Sequence, residues 1–377
     1  MAAPPDPAPS RRDEASGISV PRLAGWGVGL LIAFLALAGI AVLLADAHHV
    51  RAALGRLSVK QLALLMALSS CAFCLRTLRW QLYARAQRIR IPLLDNALIY
   101  ISGYALGATP GRVGEVVRLL LLRRGFGLPY RRTAPLLIAD RLNDVNTLAL
   151  LMLVGASYVL KESTLIFVAL ALVVAINALL RFPAPLLRMV DGLFALSQRL
   201  FALSRRRYAL SRRRYALSRR RHELSRRREQ LTHWRYARVA AGLRRLLRRT
   251  QSTFSVNTQL LASLLSLAAW SFECASLFWI LDALNTPIDL RAAIAIHATA
   301  SLVGALSMLP GGFGGFEATC VALLLWQGIP VPEAVVATAV LRVTTFWYSL
   351  LLGTPVLAWA ILRLRRNTPT ATADRSA

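Results

Sequence analysis

The sequence predicts an all-α polytopic membrane protein, with about six full transmembrane helices and two re-entrant helical hairpins in an inverted repeat. Three observations carry that expectation. Hydrophobic residues make up 56 % of the 377 positions, and several apolar runs reach the ~20 residues a helix needs to cross hydrocarbon. Two segments about two hundred residues apart echo each other. The first holds Pro110, Gly111, Arg112, Gly114 and Glu115, followed by Asp140, Arg141 and Asp144; the second holds Pro310, Gly311, Gly312, Gly314 and Glu317, followed by Arg342. Lastly, arginines crowd particular ends of the apolar runs, as the positive-inside rule requires of cytoplasmic loops.

Residues 1–23, rich in Pro, Ala and Arg, read as a disordered cytoplasmic tail. The first span, Ala24 to Ala45, lacks a small-residue cleavage pattern and is expected to be retained. A second span, Ser58 to Tyr83, carries Arg76, Arg79 and Trp80 near its end, where long basic side chains snorkel and tryptophan marks the interface. Residues 93–122 are apolar but broken at Pro110-Gly111, and both ends are basic, which predicts a hairpin that enters from and returns to the cytoplasm. A third span (Ala134 to Tyr158) and a fourth (Thr164 to Leu180) complete the first membrane half, residues 24–181.

Residues 182–255 form a basic cytoplasmic insert. Leucine recurs there at 196, 203, 210, 217, 224 and 231, a seven-residue period. A coiled coil fits poorly, because Tyr208, Ala209 and Leu210 are consecutive and wrap around a helix instead of forming a seam. The expected structure is a basic helix beside the membrane, suited to anionic headgroups. The second membrane half, 256–362, repeats the plan. Its span Asn257 to Leu281 contains Glu273, and the loop that follows is nearly charge-balanced, as an exterior loop should be. Residues 292–327 break at Pro310-Gly311-Gly312 and leave without an arginine, so this hairpin is expected to open outward. The last span, Glu333 to Leu362, leads to Arg363, Arg365 and a cytoplasmic tail, 363–377. Both termini fall in the cytoplasm, and the two hairpins enter from opposite sides.

The net charge of +28 would suggest nucleic acid in a soluble protein, but here it is distributed as basic loops between spans, so no nucleic-acid partner is expected. Cys71 and Cys74 form a CxxC inside a span, which argues against redox or zinc chemistry, and His48 and His49 have no cluster to join, so neither a metal nor a cofactor is expected.

Breaks at membrane depth leave free amides and carbonyls, and a half-helix N-terminus there attracts anions. The ionisable groups nearest the breaks are Glu115, Glu317, Glu273, Asp140, Asp144, Arg141 and Arg342. A charge within a span costs about 2.5–3.5 kcal/mol on insertion scales, so each needs a partner or a wet cavity. Register pairs Glu115 with Arg141 and Glu317 with Arg342. Two roles are open for these pairs: structural bridges that pin each hairpin to the next span, or parts of a binding site. Arg112 has no counterpart in the second break, where Gly312 stands, and its planar fork suits phosphate oxygens.

The run from Gly103 to Asp144, and the run from Leu309 to Gly353 with its LPGGFGGFEA, resemble the flippase-like membrane domain of lysylphosphatidylglycerol synthases. The likeness covers most of residues 24–362. It implies an inner-membrane protein that moves a lipid, or helps to move one, between leaflets. Two-domain relatives carry a soluble aminoacyl-transferase domain after the membrane part; here the last span is followed by about fifteen residues, which implies that the synthase activity is absent. The arginine repeat is atypical for that family.

The leading expectation is a non-enzymatic lipid translocase. A phosphate-bearing or anionic headgroup would cross between the hairpins at Arg112, Glu115, Arg141, Glu273, Glu317 and Arg342, with the tails left in the bilayer. No GxxxxGK[ST] motif occurs, so movement would be passive or gradient-driven, with Glu115 or Glu317 as proton carriers. Two rivals stand beside it: a membrane transferase of lipid or envelope biosynthesis, and an accessory subunit whose basic loop docks a partner enzyme.

Overall fold

The computed structural model describes residues 55–109, 114–160 and 255–366, with isolated positions at 52 and between 164 and 196. The expected first span, most of the fourth, nearly all of the arginine repeat, the N-terminal tail, the C-terminal tail after Arg366 and the stretch 110–113 lie outside the described residues. Within the described residues the chain is helical throughout, in line with the expected class.

Helix α1 (Val59–Ala86) starts where Ser58 accepts a hydrogen bond from the Gln61 amide, and the Gln61 side chain returns the bond to Ser58 in a capping box. It has 28 residues and little amphipathic bias, because lipid and protein both accept apolar side chains. Short α2 (Leu93–Ser102) runs into a 3₁₀ turn at Gly103–Leu106. After the break, α3 (Val117–Phe126) ends on Gly127, whose φ of 65° supplies the left-handed cap. Helix α4 (Tyr130–Leu160) follows. The second half runs in the same order: α5 (Val256–Ala283), α6 (Leu290–Leu306), a break, α7 (Gly315–Trp326), and α8 (Val331–Arg342). A π-helical turn, Val343–Trp347, joins α8 to α9 (Tyr348–Arg366).

Length separates the spans from the hairpin arms. Among the described residues, three helical stretches are long and apolar enough to cross a membrane: Val59–Ala86, Val256–Ala283 and Val331–Arg363. Helix α6 has 17 residues, and at ~1.5 Å per residue it falls short of the ~30 Å hydrocarbon thickness. Helix α7, with 12 residues, is shorter still. Exposed Leu64, Leu78, Leu260, Leu264 and Leu351 on the long helices form the apolar exterior that lipid requires.

The packing is reciprocal. Helices α1 and α5 lie against each other, α4 packs on the hairpin arm α6, and α9 packs on the hairpin arm α2 and its 3₁₀ turn. Each half thus closes over the hairpin of the other. Two glycines permit the close approaches. A Cβ on Gly155 of α4 would meet the Ala295 Cβ at 2.6 Å and the Arg291 carbonyl at 2.8 Å. A Cβ on Gly353 of α9 would meet the Tyr104 carbonyl carbon at 2.9 Å.

Forcing a side chain into the α4–α6 contact overpacks it, at a cost of about 1–3 kcal/mol. Gly155→Val is therefore expected to lower the thermal unfolding midpoint of the purified protein, whereas Gly55→Ala, which meets nothing within 4 Å, leaves it unchanged.

Candidate functional site

The second break is built by glycine and held by charge. Gly311, Gly312 and Gly314 adopt φ of 63°, 70° and 80°, a region closed to most L-residues. The Gly314 amide donates to Glu317 Oε2 at 2.8 Å, which satisfies one of the exposed donors at the start of α7. Arg342 then clamps both sides of the break: its Nε donates to Glu317 Oε1 at 2.5 Å and its Nη2 to the Gly311 carbonyl at 3.1 Å. Phe313, Phe316 and Phe346 surround the guanidinium with ring centroids 4.5–5.1 Å away, a cation–π setting that offsets part of its lost hydration.

The first break reuses the arrangement with more charge. Arg141 Nη2 lies 2.8 Å from Glu115 Oε2, as register predicts. Arg118, one turn after Glu115, is fully buried; its Nε donates to the Tyr100 carbonyl at 3.0 Å, and its guanidinium sits 3.9 Å from the Tyr100 ring. Gly103 makes room for it, because a Cβ there would overlap the guanidinium. Of the residues named for this break, Gly114 is described, its amide held by Thr109 Oγ1 at 2.7 Å; Pro110, Gly111 and Arg112 lie outside the described residues.

Arg76 and Arg79 depart from the expectation of snorkelling, since they are 7 % and 0 % exposed. The physical reason is supplied by their partners. Arg79 Nη2 meets Asp140 Oδ1 at 2.6 Å and its Nη1 meets Asp144 Oδ1 at 2.7 Å, so charge complementarity within the helix bundle replaces a route to the interface. Arg76 Nη1 donates to Glu273 Oε1 at 2.5 Å across the α1–α5 contact. The two residues are 197 positions apart, the same separation as between Val59 and Val256, which open the two helices. Counted from the first residue, they stand at the same position in α1 and α5.

These groups converge on a cavity of about 230 Å³. Its walls take Arg76 and Phe73 from α1, Tyr100 and Tyr104 from the first hairpin, Glu115, and Arg141 with Asp144 from α4. From the second half come Trp270 and Glu273 of α5, His297 of α6, Gly311 and Gly312 of the break, and Arg342. Four of the sequence-predicted site residues, Glu115, Arg141, Glu273 and Arg342, therefore line one space. Glu317 does not line it, and acts on the break through Arg342. Three arginines (76, 141, 342) face three acids (115, 144, 273), so the lining is formally neutral with His297 uncharged.

Sequence reasoning missed Arg76, Arg79, Arg118, Tyr104 and His297. A signal existed for the arginines. Arg76 and Arg79 lie three apart on an apolar helix, hence on one face, and Arg118 follows Glu115 by three. Nothing in the sequence singled out His297, which is 2 % exposed and sits edge-on to Trp270 and Phe316. Among the described residues no group of His, Cys, Asp and Glu could hold a metal ion.

An all-helical membrane protein with two broken hairpins and a buried, ionised cavity is the class that fold and site together define. The chain belongs to the family described as the lysylphosphatidylglycerol synthase TM region, which it matches over residues 26–353. Over 118 residues it is 32 % identical to a UPF0104 membrane protein of Methanothermobacter thermautotrophicus, a stretch that is 31 % of this chain and 35 % of that relative. A second match to a UPF0104 membrane protein of the same organism is 25 % identical over 95 residues, 25 % of this chain and 28 % of that relative. The matches thus span about a third of the length of the curated relatives.

Removing one partner from a buried ion pair strands the other charge, at about 3–5 kcal/mol. Arg79→Met leaves Asp140 and Asp144 without their main cation, so a marked fall in unfolding midpoint and in folded yield from the membrane is expected. Arg56, whose pair with Glu333 is at 3.4 Å with a 41 % exposed side chain, provides the contrast: Arg56→Met is expected to change stability by less than about 1 kcal/mol.

Proposed function

We propose that the protein moves a phosphate-bearing lipid between the leaflets of the cell membrane, carrying the headgroup through the central cavity while the tails stay in hydrocarbon. The observation that carries this reading is the cavity itself: a formally neutral, ionised space at the meeting of two broken hairpins, closed by elements of both halves. Charges inside a membrane bundle are expensive and mark polar pathways. Paired broken helices at corresponding places in two halves mark the substrate site in transporters. A volume of about 230 Å³ suits a headgroup and is below the roughly 300–1,000 Å³ of pockets that enclose whole drug-sized ligands. Family membership supports a lipid-related membrane role.

In this reading the protein is not an enzyme. It lies in the inner membrane with both termini cytoplasmic, and its halves form an inverted repeat. Arg342 and Glu317 keep the second break open against collapse, and Glu115 with Arg141 does so at the first. Membrane lipids are the partners, and no cofactor is required. Arg112, outside the described residues, remains a candidate phosphate contact on its sequence position alone.

The deciding experiment reconstitutes the purified chain in vesicles that carry fluorescent phosphatidylglycerol and follows leaflet exchange by quenching the outer leaflet. Exchange well above protein-free vesicles is expected. Glu115→Gln and Arg342→Ala should each slow it by about tenfold, the effect of ~1.4 kcal/mol on a barrier, while both variants still insert. Normal exchange in both variants overturns the assignment of these residues, and no exchange by the parent overturns the function.

The repeat has its own test. In a background lacking the exposed Cys71 and Cys74, a membrane-impermeant thiol reagent is expected to reach Arg124→Cys from the cytoplasmic face and Val331→Cys from the opposite face. Labelling of both from one side removes the inverted arrangement.

A further inference from the structure

The geometry points to Arg76 as the residue that receives the phosphate of the cavity's occupant, with Tyr104 and His297 completing the site; this rests on the cavity being the headgroup passage. Arg76 engages Glu273 through Nη1, at 2.5 Å. Its Nε and Nη2 are buried and have no hydrogen-bond partner among the described residues. Those two nitrogens form one straight edge of the planar guanidinium, the edge that meets two oxygens of an oxyanion at once. The flat face rests 4.2 Å from the Trp270 ring centroid, and the residue is 7 % exposed. The fork is therefore held in one orientation rather than free to sweep the cavity, and less freedom is lost when it binds.

The neighbouring donors extend the pattern. The Tyr104 hydroxyl and His297 Nδ1, a donor in the Nδ1-protonated tautomer, are also buried without a partner among the described residues, and both side chains line the same cavity. So does Arg141, whose Nε is likewise unpartnered among the described residues. Buried donors left unmade are costly. Here they come from α1, the first hairpin, α4 and α6, and face one space. The carboxylates are already engaged: Asp144 Oδ1 accepts from Arg79 and from Trp270 Nε1, and Glu115 Oε2 accepts from Arg118 while pairing with Arg141. The cavity has spare donors facing acceptors that are already in use. A carboxylate ligand would fill the Arg76 fork and leave the tyrosine and histidine unanswered. A phosphodiester, with two free and two ester oxygens, offers enough acceptors for all of them.

Net neutrality adds a consequence for selectivity. An entering phosphate gains no long-range pull from a balanced lining and meets the repulsion of Glu273, which already offsets the charge of Arg76 from its Nη1 side. Glu273 thus sets the affinity, and its neutralisation strengthens binding. A bridge that only fastens α1 to α5 predicts the reverse, because weakening it loosens the walls.

The test measures binding to the purified full-length chain in detergent, using dioctanoylphosphatidylglycerol, dioctanoylglycerol with the same tails and no phosphate, and inorganic phosphate as competitor. The phospholipid is expected to bind at least about tenfold more tightly than the diacylglycerol, as charge-assisted hydrogen bonds require. Glu273→Gln should tighten phospholipid binding. The double variant Arg76→Gln/Glu273→Gln, which strands no charge and so remains folded, should lose the preference for phosphate. Competition by millimolar inorganic phosphate, present in the parent and lost in the double variant, identifies the phosphate as the recognised group apart from the tails. Equal binding of the two lipids, weaker binding in Glu273→Gln, or a phosphate preference that survives in the double variant overturns the site. Binding is scored without transport, so a parent that binds as described but exchanges no lipid retires the translocation reading alone.

Discussion

A buried guanidinium is costly to leave unanswered, and Arg79 is answered at the crossing of three helices. Its Nε and Nη2 both donate to Asp140, and its Nη1 donates to Asp144 and to Ser266 of α5. Once α1 commits this residue to the interior, the register of α4 and α5 against α1 is determined to within a side chain. A slip of either helix would leave a charge unpaired in a medium that cannot hydrate it. Asp140 passes the constraint on: it also pairs with Arg118 and Arg141, which hold Glu115 at the first break. Where the first hairpin sits is thus a consequence of how α1 satisfies one arginine.

Balance follows from the same demand. Among the described residues the bundle buries Arg76, Arg79, Arg118 and Arg342 and half-buries Arg141, and Glu115, Asp140, Asp144, Glu273 and Glu317 pair with them. Such pairs are weak evidence for stability, since apolar packing of similar volume would often do as well. What they add is position. Each pair locks two elements at one register, and the cavity is the space left between locked elements. The apolar clusters on either side, one around Leu277, Phe316 and Leu341 and another around Trp80, Leu122 and Leu136, fill in around that frame.

Much of the frame was legible in the sequence because hydrocarbon penalises exceptions. The spans announced themselves by length and apolarity, and α1, α4, α5 and α8–α9 begin within a few residues of the places that apolar runs suggested. The second break was legible because Pro and Gly have few uses inside a span, and the pairs Glu115–Arg141 and Glu317–Arg342 followed from spacing alone. The partners of Arg76 and Arg79 were not legible. Both sit where an apolar run nears a basic loop, a pattern that fits snorkelling equally well, and only the contact of α1 with α4 and α5, remote in sequence, decides between the two. His297 and Tyr104 were invisible for a related reason: a lone ring on an apolar helix carries no sign of what it faces.

The two halves run in the same order of elements and differ in chemistry, so the two breaks beside the cavity are unlike. Around the first break, Arg118 and Arg141 meet Glu115 and Asp140 with tyrosine rings alongside, so hydrogen bonds can be exchanged among several neighbours. Around the second, the pair of Arg342 and Glu317 stands among phenyl rings, with the Gly311 carbonyl and three aromatic faces against the guanidinium. A polar group arriving at the first break can be handed from donor to donor at little cost, because each donor it takes leaves the others still paired. At the second it meets the Glu317 carboxylate already on Arg342, and phenyl groups beside it that offer no hydrogen bond. If the proposed headgroup passage holds, the first hairpin is the one suited to hold the headgroup and the second to yield or resist as a unit. Identical surroundings at the two breaks would make both equally sticky; a charge network at one and an aromatic sleeve at the other make them unlike.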